Sequence, residues 1–433
     1  MSSCTLLRVS YIPTAWVSYS ALFILQVFSG PQRRTGRSQI PRFSFVVNGT
    51  SNLTCPIWVF GGRRFTIMIN DGLLSKTIDY LRFPLAVGVV FIHNKMDSFD
   101  IQGKEVNYGD FWPWLNYVID FFSAVLPTIA VPLFFFISGF LFFYKIDFSK
   151  AIYIKKLKSR SRTLLIPYLI WNFIGFLILL TQMEPRFFSL FPLLKDYRID
   201  LTEFLSYFWI RDLPMDPPTE RAVPIDGPLW FVRDLIILVL VSPLIYWLIK
   251  KLKYWLVVLL GIVWFFHLGK HIGLPGLCHQ SIFFFPLGAY FSINKINFVE
   301  LANKIKWSPC LYAILAIGDT ITKGEPYNHW FHNLGVMVGI FAVVCIASLL
   351  LVKDRVHINK FLSDASFFVF AAHGLFISKF MKALIMTVQP QSSLVVLFIY
   401  FFVPITTILI CLGIYKILNR WMPSLARVVT GGR

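Results

Sequence analysis

DYLRFPLAVGVVFIHN, residues 79–94, is an apolar run that carries an arginine at position 82 and a histidine at position 93. Hydrocarbon penalises both groups, so a membrane helix that keeps them must turn them toward protein or a water-filled cavity. The rest of the chain says that the run is such a helix. The 433 residues are 56% hydrophobic and 15% charged, with 45 phenylalanines and a mean hydropathy of +0.66. A soluble domain would be about a quarter charged. Runs long enough to cross a bilayer recur along most of the chain. They fall at 77–94, 128–145, 163–181, 229–249, 254–270, 278–292, 308–322, 333–352, 363–386 and 393–416. The expected fold class is therefore an all-α membrane protein, a polytopic bundle of about ten transmembrane helices. The stretch 112–127, WPWLNYVIDFFSAVLP, is apolar but holds Asp120 and two prolines. It reads as an interfacial or re-entrant helix ahead of the second span.

The formal charge is +19. In a soluble protein that would point to nucleic acid. Here the basic residues sit in short loops, where membrane topology accounts for them. If the first span enters from the cytoplasm, the inner loops and tail hold 20 Lys and Arg, and the longer outer loops hold 9. The positive-inside rule then puts both chain ends in the cytoplasm. The expected setting is a multi-pass protein of the cell (inner, cytoplasmic) membrane, with the lipid bilayer and not nucleic acid as its partner. The outer loop 182–228 carries eight acids and is expected to form a structured cap. The six cysteines are scattered with no CxxC, so neither a disulfide framework nor a zinc site is expected.

Residues 1–67 stand apart. They read as an upstream extension, a misassigned start, or an extra apolar helix at 11–28. Met68 opens MINDGLLSK in the manner of a natural N-terminus. The expected division is this extension, a transmembrane domain over 68–420, and a short basic cytoplasmic tail over 421–433.

Arg82 and His93 are eleven residues apart, which on a helix is three turns plus about 20°. They share one face, separated by a rise of about 16 Å. A guanidinium near the inner end can hold a phosphate-bearing donor. An imidazole deeper in can take the proton from an attacking hydroxyl. The plainer alternative is a snorkelling Arg82 and an interfacial His93.

Four later segments bear on that choice. VPLFFFISGFLFFYK (131–145) has Ser138-Gly139 at its centre, which permits close helix contact, and no GxSxG nucleophile motif is present. YIKKLKSRSRTLLIPYLIWN (153–172) sets a basic cluster on the inner side, a topology signal in which Arg160 and Arg162 could also grip a phosphate. DGPLWFVRDL (226–235) sets Trp230, Arg233 and Asp234 at the outer mouth of the fourth span. They suit belt anchoring plus an ion pair, or acceptor binding. FLSDASFFVFAAHGLF (361–376) places Asp364, Ser366 and His373 on the ninth span, with His373 mid-membrane, a site candidate by position.

Together, LRFPLAVGVVFIH, VPLFFFISGFLF, the basic stretch before LLIPYLIWN, GPLWFVRDL and SFFVFAAH resemble acyltransferase family 3 over about residues 70–420. The resemblance implies a ten-helix O-acyltransferase. Such an enzyme moves an acyl group, usually acetyl, from cytoplasmic acetyl-CoA to a hydroxyl of a carbohydrate, commonly in a surface polysaccharide. Acetyl-CoA would be a co-substrate and no cofactor would be bound. The family's essential arginine and histidine fall on Arg82 and His93, its basic-loop arginine on Arg160 with Arg162 as alternative, and its late histidine on His373. Here VFAAH stands where the family carries a Tyr-Leu-Leu-His ending. His93 would act as general base or would pass the acyl group covalently, and Arg82 with Arg160 or Arg162 would bind the CoA phosphates.

Other readings compete. His267 and His271 in HLGKH have metal-ligand spacing but no intervening Glu, and they read as interfacial, as do His329 and His332. The sequons at Asn48 and Asn52 fall in the N-terminal extension. A transporter or flippase for a glycan precursor would also use intramembrane Arg and His, although the paired halves common in transporters are not evident.

Overall fold

The computed structural model describes residues 71–94, 96, 99–101, 104–182, 208–209, 223–268 and 277–432. The chain divides into two units, Met1–Met68 and Ile69–Arg433, and every described residue lies in the second. The expectations for residues 1–67, for His271 and for most of the outer loop lie outside the described residues.

The described chain is helical apart from one antiparallel hairpin of two three-residue strands, β1 (Phe99–Ile101) and β2 (Lys104–Val106). Helix α1 (Asp71–Ile92) carries the opening motif. After the hairpin come α2 (Tyr108–Phe111), α3 (Pro113–Ile119) and α4 (Ala130–Phe143). The basic segment forms α5 (Lys150–Arg160), which leads into α6 (Ile166–Gln182). Next are α7 (Trp230–Leu240), α8 (Ser242–Leu252) and α9 (Tyr254–Phe265). They are followed by α10 (His279–Ile293), α11 (Phe298–Lys304) and α12 (Ser308–Ile321). The chain ends with α13 (Asn328–Val352), α14 (Lys360–Val388), α15 (Ser393–Trp421) and α16 (Pro423–Val429).

Five helical stretches among the described residues are long and apolar enough to cross a membrane: Pro113–Phe143, Lys150–Thr181, Asn328–Val352, Lys360–Val388 and Ser393–Trp421. Two bent pairs raise the number to as many as seven: Gly227–Leu240 with Ser242–Leu252, bent by 65°, and His279–Ile293 with Phe298–Lys304, bent by 97°. Each expected span has a helical counterpart, and five to seven of them meet the test of length and polarity. Helix α1 carries Lys76, Asp79 and Arg82. Helices α9 and α12, at 12 and 14 residues, rise only about 18 and 21 Å against a hydrocarbon core of about 30 Å.

Two local expectations are corrected. Residues 112–127 are not a separate re-entrant element, because Pro113–Phe143 runs as one 31-residue helical stretch. Pro113 takes the first helical position, where its missing N–H costs nothing. Pro127 is absorbed where a π turn (Asp120–Val125) gives way to a 3₁₀ turn (Leu126–Ile129). The basic stretch before LLIPYLIWN is likewise helix, continuous with the third span over 32 residues. Lys and Arg are good helix formers, and Ser149 caps the start by accepting from Ile152 N–H. A second π turn, Ser161–Leu165, joins α5 to α6.

The tightest seam joins α4 to α10. A Cβ added at Gly139 would lie 2.1 Å from the Phe285 carbonyl oxygen, and one at Gly288 would lie 2.0 Å from that of Phe136. The two backbones touch where the sequence placed a small residue. Rings of Phe136, Phe140, Phe291 and Phe298 fill the flanks. The end of the chain folds back: α16 meets α6, where Trp171 Nε1 donates to the Val429 carbonyl at 3.0 Å.

Candidate functional site

Helices α1 and α14 run side by side in the same direction. Near their starts, Ser363 Oγ donates to the Asp79 carbonyl at 3.1 Å. Near the end of α1, the rings of His93 and His373 meet, with centroids 5.3 Å apart and planes at 47°. Two histidines that the sequence separates by 280 positions thus share one site. Pro84 lies inside α1 without ending it. The His93 N–H still reaches the Val89 carbonyl at 3.3 Å, which keeps Arg82 and His93 on the shared face.

His373 is fully buried. Its Nδ1 lies 3.1 Å from the Val369 carbonyl. A carbonyl only accepts, so Nδ1 carries the proton and Nε2 holds a lone pair. That Nε2 is buried with no hydrogen-bond partner among the described residues. A neutral imidazole with its donor anchored and its acceptor unused is built to receive a proton or an electrophile.

Arg82 sits at the other end of α1 and pairs with Asp79 at 2.9 Å, each side chain about a third exposed. The pair is one turn long on α1 itself, and a phosphate can compete for a guanidinium held this loosely. On the basic helix, Arg160 is half-buried and Arg162 is exposed. The helix is anchored by Lys156, which donates to the Phe142 carbonyl, and by Tyr153, whose hydroxyl donates to the Leu240 carbonyl at 2.8 Å.

Arg233 and Asp234 are both buried and pair with each other at 3.2 Å. Arg233 Nη1 also donates to the Trp209 carbonyl at 2.7 Å, and Asp234 Oδ2 accepts from Cys278 N–H at 2.8 Å. The pair ties α7 to the head of α10 and to the outer loop at Trp209. Trp230 is half-buried against Phe135 of α4, centroids 6.1 Å apart.

The structure adds residues the sequence reading passed over. Asp226 is buried in the turn before α7, and its N–H donates to Asn172 Oδ1 at 3.1 Å. A Cβ added at Gly374, the neighbour of His373, would lie 2.5 Å from Pro228 and 2.9 Å from Asp226 Oδ1. The DGP turn therefore packs directly on α14 beside the histidine. Asn94, Ser123 and Tyr400, buried beside the end of α1, are likewise new. A buried Asn172 in LLIPYLIWN was a legible signal, since intramembrane polar groups mark sites. His267 and His332 are engaged elsewhere, with Asn333 and Asp319. No described group of three or more His, Cys, Asp or Glu could hold a metal ion.

Comparison with known proteins identifies the family. The family described as an acyltransferase domain matches residues 75–416. The succinoglycan biosynthesis protein ExoH of Rhizobium meliloti (strain 1021) is 30% identical over 380 residues, which is 84% of this chain and 94% of that protein. No solved structure matches. The match covers most of the chain and takes in Arg82 and His93 on α1, the basic helix, the α7 entrance and the His373 helix, so the chain belongs to acyltransferase family 3 and is a membrane O-acyltransferase.

Proposed function

We propose that the protein transfers an acyl group, acetyl in the first instance, from cytoplasmic acyl-CoA to a hydroxyl of a carbohydrate acceptor. The acceptor is a cell-surface polysaccharide or its precursor. The relative named for succinoglycan biosynthesis supports that acceptor class. The setting is the inner (cytoplasmic) membrane, with ten helical passes and both ends in the cytoplasm. The observation that carries the reading is the His93–His373 contact at 5.3 Å, on the same helix pair that bears Arg82.

In this reading Arg82 and Arg160, with Arg162 at the rim, hold the CoA phosphates from the inner side. The pantetheine arm runs along α1 and brings the thioester to the histidines. His93 takes the proton of the acceptor hydroxyl as the oxygen attacks the thioester carbonyl. The tetrahedral intermediate collapses, the C–S bond breaks, and the proton passes from the imidazolium to the departing thiolate. His373, held at Nδ1 by Val369, packs its ring against that of His93 and orients it, with Nε2 left to accept a hydrogen bond from the incoming substrate. Trp230 and the Arg233–Asp234 pair wall the acceptor's path on the outer side.

The test is the alkali-labile O-acyl content of surface glycan in a strain lacking the gene, rescued with wild type, His93→Ala or His373→Ala at matched protein levels. Restoration by wild type alone is the expected result. Full restoration by His93→Ala would remove the histidine from the chemistry.

A further inference from the structure

The residue after His93 is not a bystander. Asn94 is 1% exposed, and its Nδ2 donates to the Tyr400 carbonyl on α15 at 2.8 Å. Tyr400 is fully buried, and its hydroxyl lies 2.6 Å from Ser123 Oγ. Ser123 is on the π turn Asp120–Val125 and reaches back to the Asn94 carbonyl at 3.5 Å. The Tyr400 hydroxyl also reaches the Ile119 carbonyl at 3.4 Å. The rings of Phe91 and Tyr400 pack edge to face, with centroids 6.4 Å apart. Three elements that are remote in sequence thus close a ring of hydrogen bonds around the exit of α1.

Two features separate this ring from ordinary packing. A π turn spoils the regular i→i−4 ladder and is found disproportionately at functional sites. Here Ser123 sits on the π turn, and Tyr400 reaches both Ser123 and the Ile119 carbonyl just before it. Secondly, Asn94 Oδ1 is buried with no partner among the described residues. Such an orphan is unfavourable, and an apolar residue would remove that cost if packing were the only requirement.

We propose that Asn94, Ser123 and Tyr400 form a positioning clamp. The clamp fixes the exit of α1 against α15 and the π turn, and so holds the His93 imidazole against His373. These are positioning residues, acting through His93. The proposal rests on the histidine-centred transfer reading above. Misplacing a reacting group by about 1 Å can cost on the order of a hundredfold in rate, so losing one clamp contact is expected to lower turnover while leaving donor binding alone.

The experiment uses the full-length protein in membranes, with radiolabelled acetyl-CoA as donor and endogenous glycan as acceptor. Vmax per folded protein and KM for acetyl-CoA are measured for wild type, Tyr400→Phe, Ser123→Ala, Ser123→Thr and the Tyr400→Phe/Ser123→Ala double variant. Tyr400→Phe and Ser123→Ala should each lower Vmax about tenfold with KM within about twofold. The double variant should lose less than the product of the two single losses, because both remove the shared Tyr400–Ser123 contact. Ser123→Thr should recover most of the rate. His93→Ala and His332→Asn are run alongside. Wild-type Vmax in both Tyr400→Phe and Ser123→Ala would overturn the clamp, as would a loss that Ser123→Thr fails to recover. If Tyr400→Phe does not accumulate, Ser123→Ala tests the same contact from the other side. Full activity in His93→Ala would bring down the transfer reading itself. A dead His93→Ala beside normal clamp variants would bring down the clamp alone.

Discussion

Among the described residues, the surroundings of His332 and those of the His93–His373 pair are built on opposite principles. At the α12–α13 hairpin, His332 Nδ1 donates to Asp319 Oδ2 at 2.8 Å, while Lys323 donates to Asp319 Oδ1 at 2.7 Å. Asn328 Nδ2 adds bonds to Asp319 Oδ1 at 2.9 Å and to the Asp319 carbonyl at 2.8 Å. The buried carboxylate has donors on both oxygens, and nothing is left over for a ligand. At the α1–α14 pair, His373 is anchored through one nitrogen, and the other is buried without a partner among the described residues. Saturation marks a latch, whereas the buried Nε2 of His373 keeps the capacity that the proposed transfer uses. Histidine content alone cannot separate the two, because an imidazole can serve either as a latch or as a reacting group.

The comparison can be broken most directly at His93. His93→Ala should lower acyl transfer by about a hundredfold or more, the range of a lost general base, with normal accumulation in the membrane. His373→Gln should cost about tenfold to a hundredfold, because an amide can occupy the space but cannot offer the same lone pair. The assay for both is glycan O-acylation at matched protein levels. If either variant kept full rate, the unused Nε2 would lose its meaning. At the donor end, Arg82→Gln should raise KM for acyl-CoA about tenfold and change Vmax little, the value of one charge-assisted phosphate contact. A Vmax loss at unchanged KM would place Arg82 in the chemistry instead.

The hairpin cluster should respond in the reverse way. Asp319→Ala should lower thermal stability by about 3 kcal/mol, since it strands the Lys323 ammonium and removes the acceptor of His332 and Asn328, while activity per folded molecule stays at the wild-type level. His332→Asn should give the smallest effect, about 1 kcal/mol, again in stability only. Loss of specific activity in either variant would show that the hairpin belongs to the reaction.

Much of this was legible in the sequence because the bilayer makes polar residues conspicuous. Arg82, His93 and His373 stand out as costly groups in apolar runs, and helical periodicity put the first two on one face. Gly139 marked a helix contact, and the structure seats its helix against α10 at Gly288. Span length was less legible. Hydropathy does not register a bend, so the break after Leu240 was hidden inside the run 229–249 that read as a single span, while the short helix Phe298–Lys304 beyond the bend after Ile293 lay past the end of the run 278–292. The basic stretch read as loop because its charges masked good helix formers. The contact between His93 and His373 was out of reach, since nothing local to either residue says that α1 and α14 are neighbours. The clamp escaped for another reason: Asn94, Ser123 and Tyr400 are each ordinary in their own segment and acquire a role only when three remote segments converge.

The central claim is that the two histidines form one reaction centre. A double-mutant cycle on glycan O-acylation, comparing His93→Ala, His373→Ala and the pair together, tests it. Residues that act as one unit are non-additive. The account predicts that the double variant is about as slow as His93→Ala alone. Multiplicative losses, or a His373→Ala variant with wild-type rate, would contradict it.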